Sequence, residues 1–275
     1  MFRTAGAAAI RDWVMHRRYD GRRVALVPTM GALHAGHVSL IEHAAATHDD
    51  VVVSIFVNPT QFAPHEDLTR YPRPLEADLA ACEAAGATAV FTPTVDDVHP
   101  PGSSASVRPP DVARTLEGRR RPGHFEGVCT VVLQLFQMAP VQTAVFGRKD
   151  YQQWRVIEAM TRDLHVPVDI VGRPIVRADD GLALSSRNAY LSPEERGRAS
   201  AISRSLEAAK DRAGTVADVE RTLREGLTAV DEVEYATVRD ATTLQTLPPD
   251  HPVRGTVALI AAKVGTTRLI DNAEL

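Results

Sequence analysis

Over roughly the first 175 residues, short continuous apolar runs alternate with stretches whose apolar positions recur every three to four residues. The runs read as strands at 24–27 (closed by Pro28), 51–57, 88–91, 143–146 and 166–171. Run 51–57 (Val-Val-Val-Ser-Ile-Phe-Val) is apolar almost throughout, as a parallel strand covered on both faces must be. The helical stretches are 6–18, a segment from about 35 carrying Val38, Leu40, Ile41 and Ala44, then 74–86, 125–138 and 150–163. The 74–86 stretch opens on Pro and closes on Gly. This alternation predicts an α/β fold: a doubly wound parallel (Rossmann-like) sheet with ligands at the carboxyl ends of its strands. After about residue 175 come two helices, near 193–212 and 215–229, and strands at 232–239 and 256–264. The expected division is therefore 1–175 and a smaller α+β C-terminal domain, 176–275.

The chemistry gathers at three junctions. Between the first run and its helix lies Pro-Thr-Met-Gly-Ala-Leu-His-Ala-Gly-His, with Gly31 and Gly36 in the turn. A strand-to-helix turn points unpaired N–H groups and the positive end of the helix dipole into the crevice above the sheet, which makes an anion site. His34 and His37, three apart, share one face there and suit a phosphate whose charge grows during reaction. A bare His-x-x-His is more often a pair of surface histidines; the strand–turn–helix setting separates this one from that case. No third ligand stands at a zinc-like spacing. The second junction, Phe-Gly-Arg-Lys-Asp-Tyr-Gln-Gln at 146–153, again leads from strand to helix. Gly147 admits a close backbone approach, Lys149 can neutralise a phosphate, and Gln153 offers an amide one turn on, although a Lys beside an Asp is commonly an exposed pair. The third junction spans 176–188. Ser192-Pro-Glu-Glu caps the following helix, which leaves Ser185, Ser186 and Arg187 without a capping duty and available to a ligand. Residues 92–124 are rich in Pro, Gly and Ser and end near Arg119, Arg120 and Arg121. They read as an irregular loop, either a solvated face or a lid.

Composition narrows the field. The formal charge of −4 gives no electrostatic case for nucleic acid. Cys82 and Cys129 lie far apart in apolar helical settings, so buried thiols in a reducing cytoplasm are expected rather than a disulfide or metal site. No apolar stretch approaches a membrane span, and the N-terminal Ala-rich run is too short for a signal sequence.

The His-x-Gly-His motif resembles the signature of the nucleotidyltransferase superfamily. Its neighbours sharpen that. Pro28-Thr-Met-Gly31 with His34-x-Gly-His37, Asn58-Pro-x-Gln61-Phe62, Tyr71-Pro-Arg73, Phe146-Gly-x-Lys149-Asp150, Gln153 and Asp180-Gly-Leu-Ala-x-Ser-Ser-Arg-Asn188 occur in order. Together they resemble the pantothenate synthetase (pantoate–β-alanine ligase) family across essentially the whole chain. The resemblance implies an AMP-forming ligase that uses ATP and Mg²⁺. Pantoate is adenylated with release of pyrophosphate, and β-alanine then displaces AMP. It places Met30, Gly31, His34, His37, Asn58, Gly147, Lys149, Asp150, Val176, Leu184, Ser185, Ser186 and Arg187 around ATP. His37, His34 and Lys149 become the catalytic groups. Gln61 and Gln153 hold pantoate, with Gln61 also bordering β-alanine. Arg121 falls at a gate-region arginine, the smaller domain closes over the nucleotide, and the assembly is a homodimer. Arg148, Ala77 before Asp78, and Leu184 depart from the usual pattern, and Ala77 leaves the protein ligands of Mg²⁺ undefined. Two rivals are an enzyme that adenylylates phosphopantetheine and a non-enzymatic ATP-binding regulator.

Overall fold

The computed structural model describes residues 1–64, 66, 68–212 and 214–275; Asp67, which extends the acidic Glu66 pair, lies outside them. The chain divides into two compact units: 1–148 with 156–173, and 149–155 with 174–275.

The first unit carries strands β1 (Phe2–Thr4), β2 (Val24–Thr29), β3 (Asp50–Ile55), β4 (Ala89–Phe91), β5 (Thr143–Gly147) and β6 (Asp169–Arg173). Its helices are α1 (Ala7–Tyr19), α2 (Ala35–Thr47), α3 (Leu75–Ala84), the single turns α4 (Val95–Val98) and α5 (Glu117–Arg120), and α6 (His124–Met138). Helix α7 (Tyr151–Asp163) begins in the second unit and ends in the first. All six strands are parallel, in the order β1-β4-β3-β2-β5-β6. The order reverses between β2 and β5, so the crevice at their carboxyl ends is the topological switch point where such sheets take ligands. Buried Ala25, Val27, Val51, Val53, Val90 and Val145 form one sheet face beneath Leu40, Ile41 and Ala44 of α2 and Leu79 and Cys82 of α3.

Pro28 does not end its strand as expected. It stays in register with Ser54 of β3, while the pairing of β2 with β5 is confined to Ala25 and Leu26, so the missing N–H falls beyond that ladder. The 92–124 stretch is not wholly irregular: α4, a 3₁₀ turn at Asp111–Ala113 and α5 interrupt it. Both cysteines are free and buried, and burial pushes their thiols up, Cys82 to about 11 and Cys129 to about 12. No helix among the described residues is long and apolar enough to cross a membrane.

In the second unit, β7 (Glu232–Asp240), β8 (Thr256–Val264) and β9 (Thr267–Glu274) form an antiparallel sheet. Helices α8 (Pro193–Lys210) and α9 (Val216–Gly226) cover one face through Ile202, Leu206, Val219 and Leu223 against Val238, Ile260 and Ala262. The segment 149–155 is fastened to the same sheet. Asn272 Nδ2 donates to the Lys149 carbonyl (2.9 Å) and the Tyr151 hydroxyl to that of Ala241 (2.9 Å).

Candidate active site

The loop leaving β2 is held in a tight, left-handed path. Gly31 has φ +80° and Ala32 φ +50°, the second uncommon for a residue with a Cβ. A Cβ on Gly31 would stand 2.9 Å from Asp78 Oδ2, so glycine is required for space as well as for conformation. The buried Asp78 carboxylate, on α3, accepts the N–H of Ala32 (2.9 Å) and of Leu33 (2.7 Å). Asp78 thus pins the turn that delivers the two histidines.

His34 is the N-cap of α2, and its Nδ1 accepts the Gly36 N–H (3.1 Å). His37 Nδ1 faces the His34 N–H at 3.4 Å, and the two ring centroids lie 4.1 Å apart. Because both Nδ1 atoms face backbone donors, each neutral ring carries its proton on Nε2. The pair thus sets two Nε2–H tautomers at the start of α2, beyond the carboxyl end of β2.

Asn58 and Gln61 lie on the turn that follows β3, the neighbour of β2 in the sheet. Asn58 is buried and caps a 3₁₀ turn, Pro59–Gln61. Its Oδ1 accepts from Thr60 Oγ1 (2.9 Å) and His99 Nε2 (2.9 Å), and its Nδ2 donates to Gln61 Oε1 (3.1 Å) and the Gly127 carbonyl (3.3 Å). A phosphate contact by Asn58 would have to displace one of those donor bonds. Gln61 Nε2 reaches Met30 Sδ at 3.1 Å. The turn rests on α6 at Gly127, where a Cβ would meet the Thr60 carbonyl oxygen at 2.5 Å and the Gln61 nitrogen at 2.8 Å.

Arg121 is not a loose lid cation. Its Nε and Nη2 clasp the Glu66 carboxylate (2.6 and 2.9 Å), and its Nη1 meets His124 Nε2 at 3.1 Å. Burial works to raise the Glu66 pKa, but the hydrogen bonds and charge of Arg121 outweigh it and hold the carboxyl below its usual range. Burial, then the Arg121 charge, lowers His124 from 6.5 to about 4. An unfolded ring thus binds its proton at higher pH than the folded one, and stability falls as pH drops through that window. The expected loss between about pH 6.5 and 4 is about 3 kcal/mol from this residue. Urea midpoints of wild type and His124→Asn across that range check it; equal pH slopes would contradict it.

The other expected residues divide between the units. Gly147 ends β5, and a Cβ there would meet only Leu40 Cδ1, at an ordinary 3.9 Å. Nothing in the fold demands glycine at 147. In the second unit, the Lys149 ammonium stands 4.0 Å from the Asp150 carboxylate, a loose pair. Gln153 is half-buried, and its amide makes no hydrogen bond among the described residues. The loop through Val176 is a closed turn: Leu184 N–H returns to the Val176 carbonyl, and Arg177 grips the buried Asp271 carboxylate (2.6 and 3.0 Å). Burial works against the Arg177 charge, but Asp271 outweighs it and keeps the guanidinium pKa raised.

One expectation about this loop fails. Ser185 does have a capping duty, because its Oγ accepts the Arg187 N–H (3.3 Å) and begins a 3₁₀ turn, Ser186–Tyr190, ahead of α8. The capping box of Ser192 and Glu195 on α8 is present as expected. Asp78 entered the sequence reading only as the acid that follows Ala77, not as a support of the turn, and His99, His124 and Gly127 were not singled out. A signal existed for two of them. Asp78 interrupts the apolar stripe of Leu75, Leu79 and Cys82, where a buried acid needs partners, and Gly127 sits inside a strongly apolar helix.

These features agree with comparisons against known proteins. The chain is 52% identical over 277 residues to the pantothenate synthetase of Myxococcus xanthus, covering 98% of this chain and 94% of that protein. The crystal structure of the Thermus thermophilus pantothenate synthetase superposes with a TM-score of 0.92 at 42% identity, covering 100% of this chain and 99% of the other. A Francisella tularensis pantoate–β-alanine ligase, complexed with β,γ-ATP and β-alanine, gives 0.81 at 32% identity over 100% and 97% of the two chains. With the pantoate–β-alanine ligase family model matching residues 3–274, the histidine pair, the Asn58–Gln61 turn and the parallel sheet have one common origin: this chain belongs to the pantoate–β-alanine ligase family.

Proposed function

We propose that the protein condenses pantoate with β-alanine to pantothenate in two steps at the site described. The pantoate carboxylate attacks the α-phosphorus of ATP, giving pantoyl adenylate and pyrophosphate. The β-alanine amine then attacks the acyl carbon, and AMP leaves with the bonding electrons. The supporting observation is the histidine pair: with each Nδ1 facing a backbone N–H, both rings are held as the Nε2–H tautomer at the N-terminus of α2, the donor form that suits a phosphate gaining charge during attack. In this reading Met30, Gly31, His34, His37 and Gly147 surround ATP, together with Asn58, Lys149, Asp150, Val176, Leu184, Ser185, Ser186 and Arg187. Gln61 and Gln153 hold pantoate through its hydroxyls and carboxylate, and Gln61 borders the amine.

Mg²⁺ enters as the companion of ATP. Among the described residues no three His, Cys, Asp or Glu side chains cluster to hold a metal, and the Asp78 oxygens already accept two backbone N–H groups. The donor set therefore fits an ion bound mainly through phosphate oxygens and water. The working form in this reading is a cytoplasmic homodimer, which sedimentation of the purified protein and cell fractionation would check.

ATP–pyrophosphate exchange across a panel of small hydroxy acids tests the function. Exchange that depends on pantoate supports it; pyrophosphate formation with a phosphopantetheine acceptor instead would overturn it. Gly147→Ala gives a narrower prediction. Because the added methyl finds room in the fold, its unfolding midpoint should match wild type. If ATP passes close to that backbone, KM for ATP should rise about tenfold. An unchanged KM would remove Gly147 from the nucleotide site.

A further inference from the structure

We infer that His124 is a positioning residue for Gln61, a neutral imidazole that bridges Arg121 to the Gln61 backbone and so sets where the pantoate-binding amide stands. The inference rests on the proposed role of Gln61.

The ring's protonation follows from its partners. Arginine only donates, so the Arg121 Nη1 contact at 3.1 Å requires a bare Nε2 on His124. The proton then sits on Nδ1, which donates to the Gln61 carbonyl at 2.9 Å. Arg121 cannot swing away to relieve this arrangement, because Glu66 holds it through two nitrogens and Glu66 Oε2 also accepts the Ala63 N–H (3.1 Å). The chain Glu66–Arg121–His124–Gln61, joined by a longer direct bond from Arg121 Nη2 to the same Gln61 carbonyl (3.4 Å), therefore fixes the backbone of residue 61. Asn58 and Met30 fix its side chain from the other end, and the absent Cβ of Gly127 lets the turn lie against α6. A buried group at 124 must accept from a cation on one side and donate to a carbonyl on the other. A lysine or arginine cannot accept, and an aliphatic side chain can do neither. The low proton affinity of the ring agrees with this duty, since protonating Nε2 would set two donors against each other.

The test is steady-state kinetics of the full-length enzyme in a double-mutant cycle. His124→Leu should raise KM for pantoate about tenfold and leave KM for ATP within about twofold. His124→Asn, which keeps a short donor and acceptor, should recover most of the loss. In a Gln61→Ala background, His124→Leu should add less than about twofold, because the side chain it positions is gone. Losses that multiply in the double variant, or a His124→Leu enzyme with wild-type pantoate KM, would overturn the inference. If Gln61→Ala itself leaves pantoate dependence unchanged, the assignment of Gln61 fails and the inference falls with it; the two failures are thus distinguishable. A measurement needing no variant is the ¹⁵N spectrum of the wild-type imidazoles near neutral pH. A protonated Nδ1 and bare Nε2 on His124 are expected, and the opposite tautomer would refute the bridge.

Discussion

Replacing His37 by alanine should slow pantoyl adenylate formation by about 10² to 10³, equivalent to roughly 3 to 4 kcal/mol. The conversion of supplied pantoyl adenylate and β-alanine should suffer much less. His37 stands in the first turn of α2 with its Nδ1 facing the His34 N–H, which holds the ring as the Nε2–H tautomer; in the proposed mechanism that donor acts on an oxygen whose charge grows only while the α-phosphorus is under attack. In the second step the bond being made is at the acyl carbon, one atom removed, and the amine needs no phosphate donor to attack. AMP still leaves with its charge, so some loss is expected there. Single-turnover kinetics of each half-reaction provides the check. Equal losses in both steps would make His37 a structural support of the turn rather than a donor to phosphate.

Asp78→Ala should be the other severe substitution, although Asp78 is placed outside the reacting groups. It removes two charge-assisted hydrogen bonds from a turn that contains Ala32 at φ +50°. Each such bond contributes about 1.5 to 3 kcal/mol, and water can replace part of that at these half-buried amides, so a stability loss of about 3 kcal/mol is expected. The released turn no longer holds the histidine pair, and adenylation should fall by about 10². Denaturant unfolding without nucleotide, combined with Mg²⁺ titration of the activity, separates this role from metal binding. A protein of unchanged stability whose Mg²⁺ requirement rises would show that Asp78 serves the ion and not the turn.

The sequence disclosed those parts of the fold that follow from local pattern. Strand β3 lies in an almost unbroken apolar run, α2 carries its stripe of Leu40, Ile41 and Ala44, and Ser192 announces α8. What it concealed depends on distant partners. Strand β1 has only three residues and exists through pairing with residues 89–91. Strand β9 hides its period because Asp271, buried on the core-facing side, is neutralised by Arg177 some ninety positions earlier. The same holds for the site. The histidines, Gln61, Lys149 and the serine loop were legible as motifs. Their supports were not: Asp78 beneath the turn, His124 and Arg121 behind Gln61, and Gly127 below it act through contacts that no spacing rule encodes. The capping duty of Ser185 was missed for a related reason, since a short 3₁₀ turn has too few residues to show a period.

The strand order also governs how the molecule is made. Strand β2, which launches the histidine turn, gains one neighbour from residues 50–55 and the turn gains its pin at Asp78, so both are available once residue 91 has left the ribosome. Its second neighbour is β5, and that ladder begins only at Thr143. At about 5–20 residues per second, the apolar edge Val24, Ala25, Leu26 and Val27 waits several seconds for its partner. An unpaired hydrophobic strand edge is a template for pairing with another chain. Synthesis stalled between residues 91 and 143 thus leaves β2, in the middle of the sheet, open to aggregation, and the arrival of β5 ends that exposure.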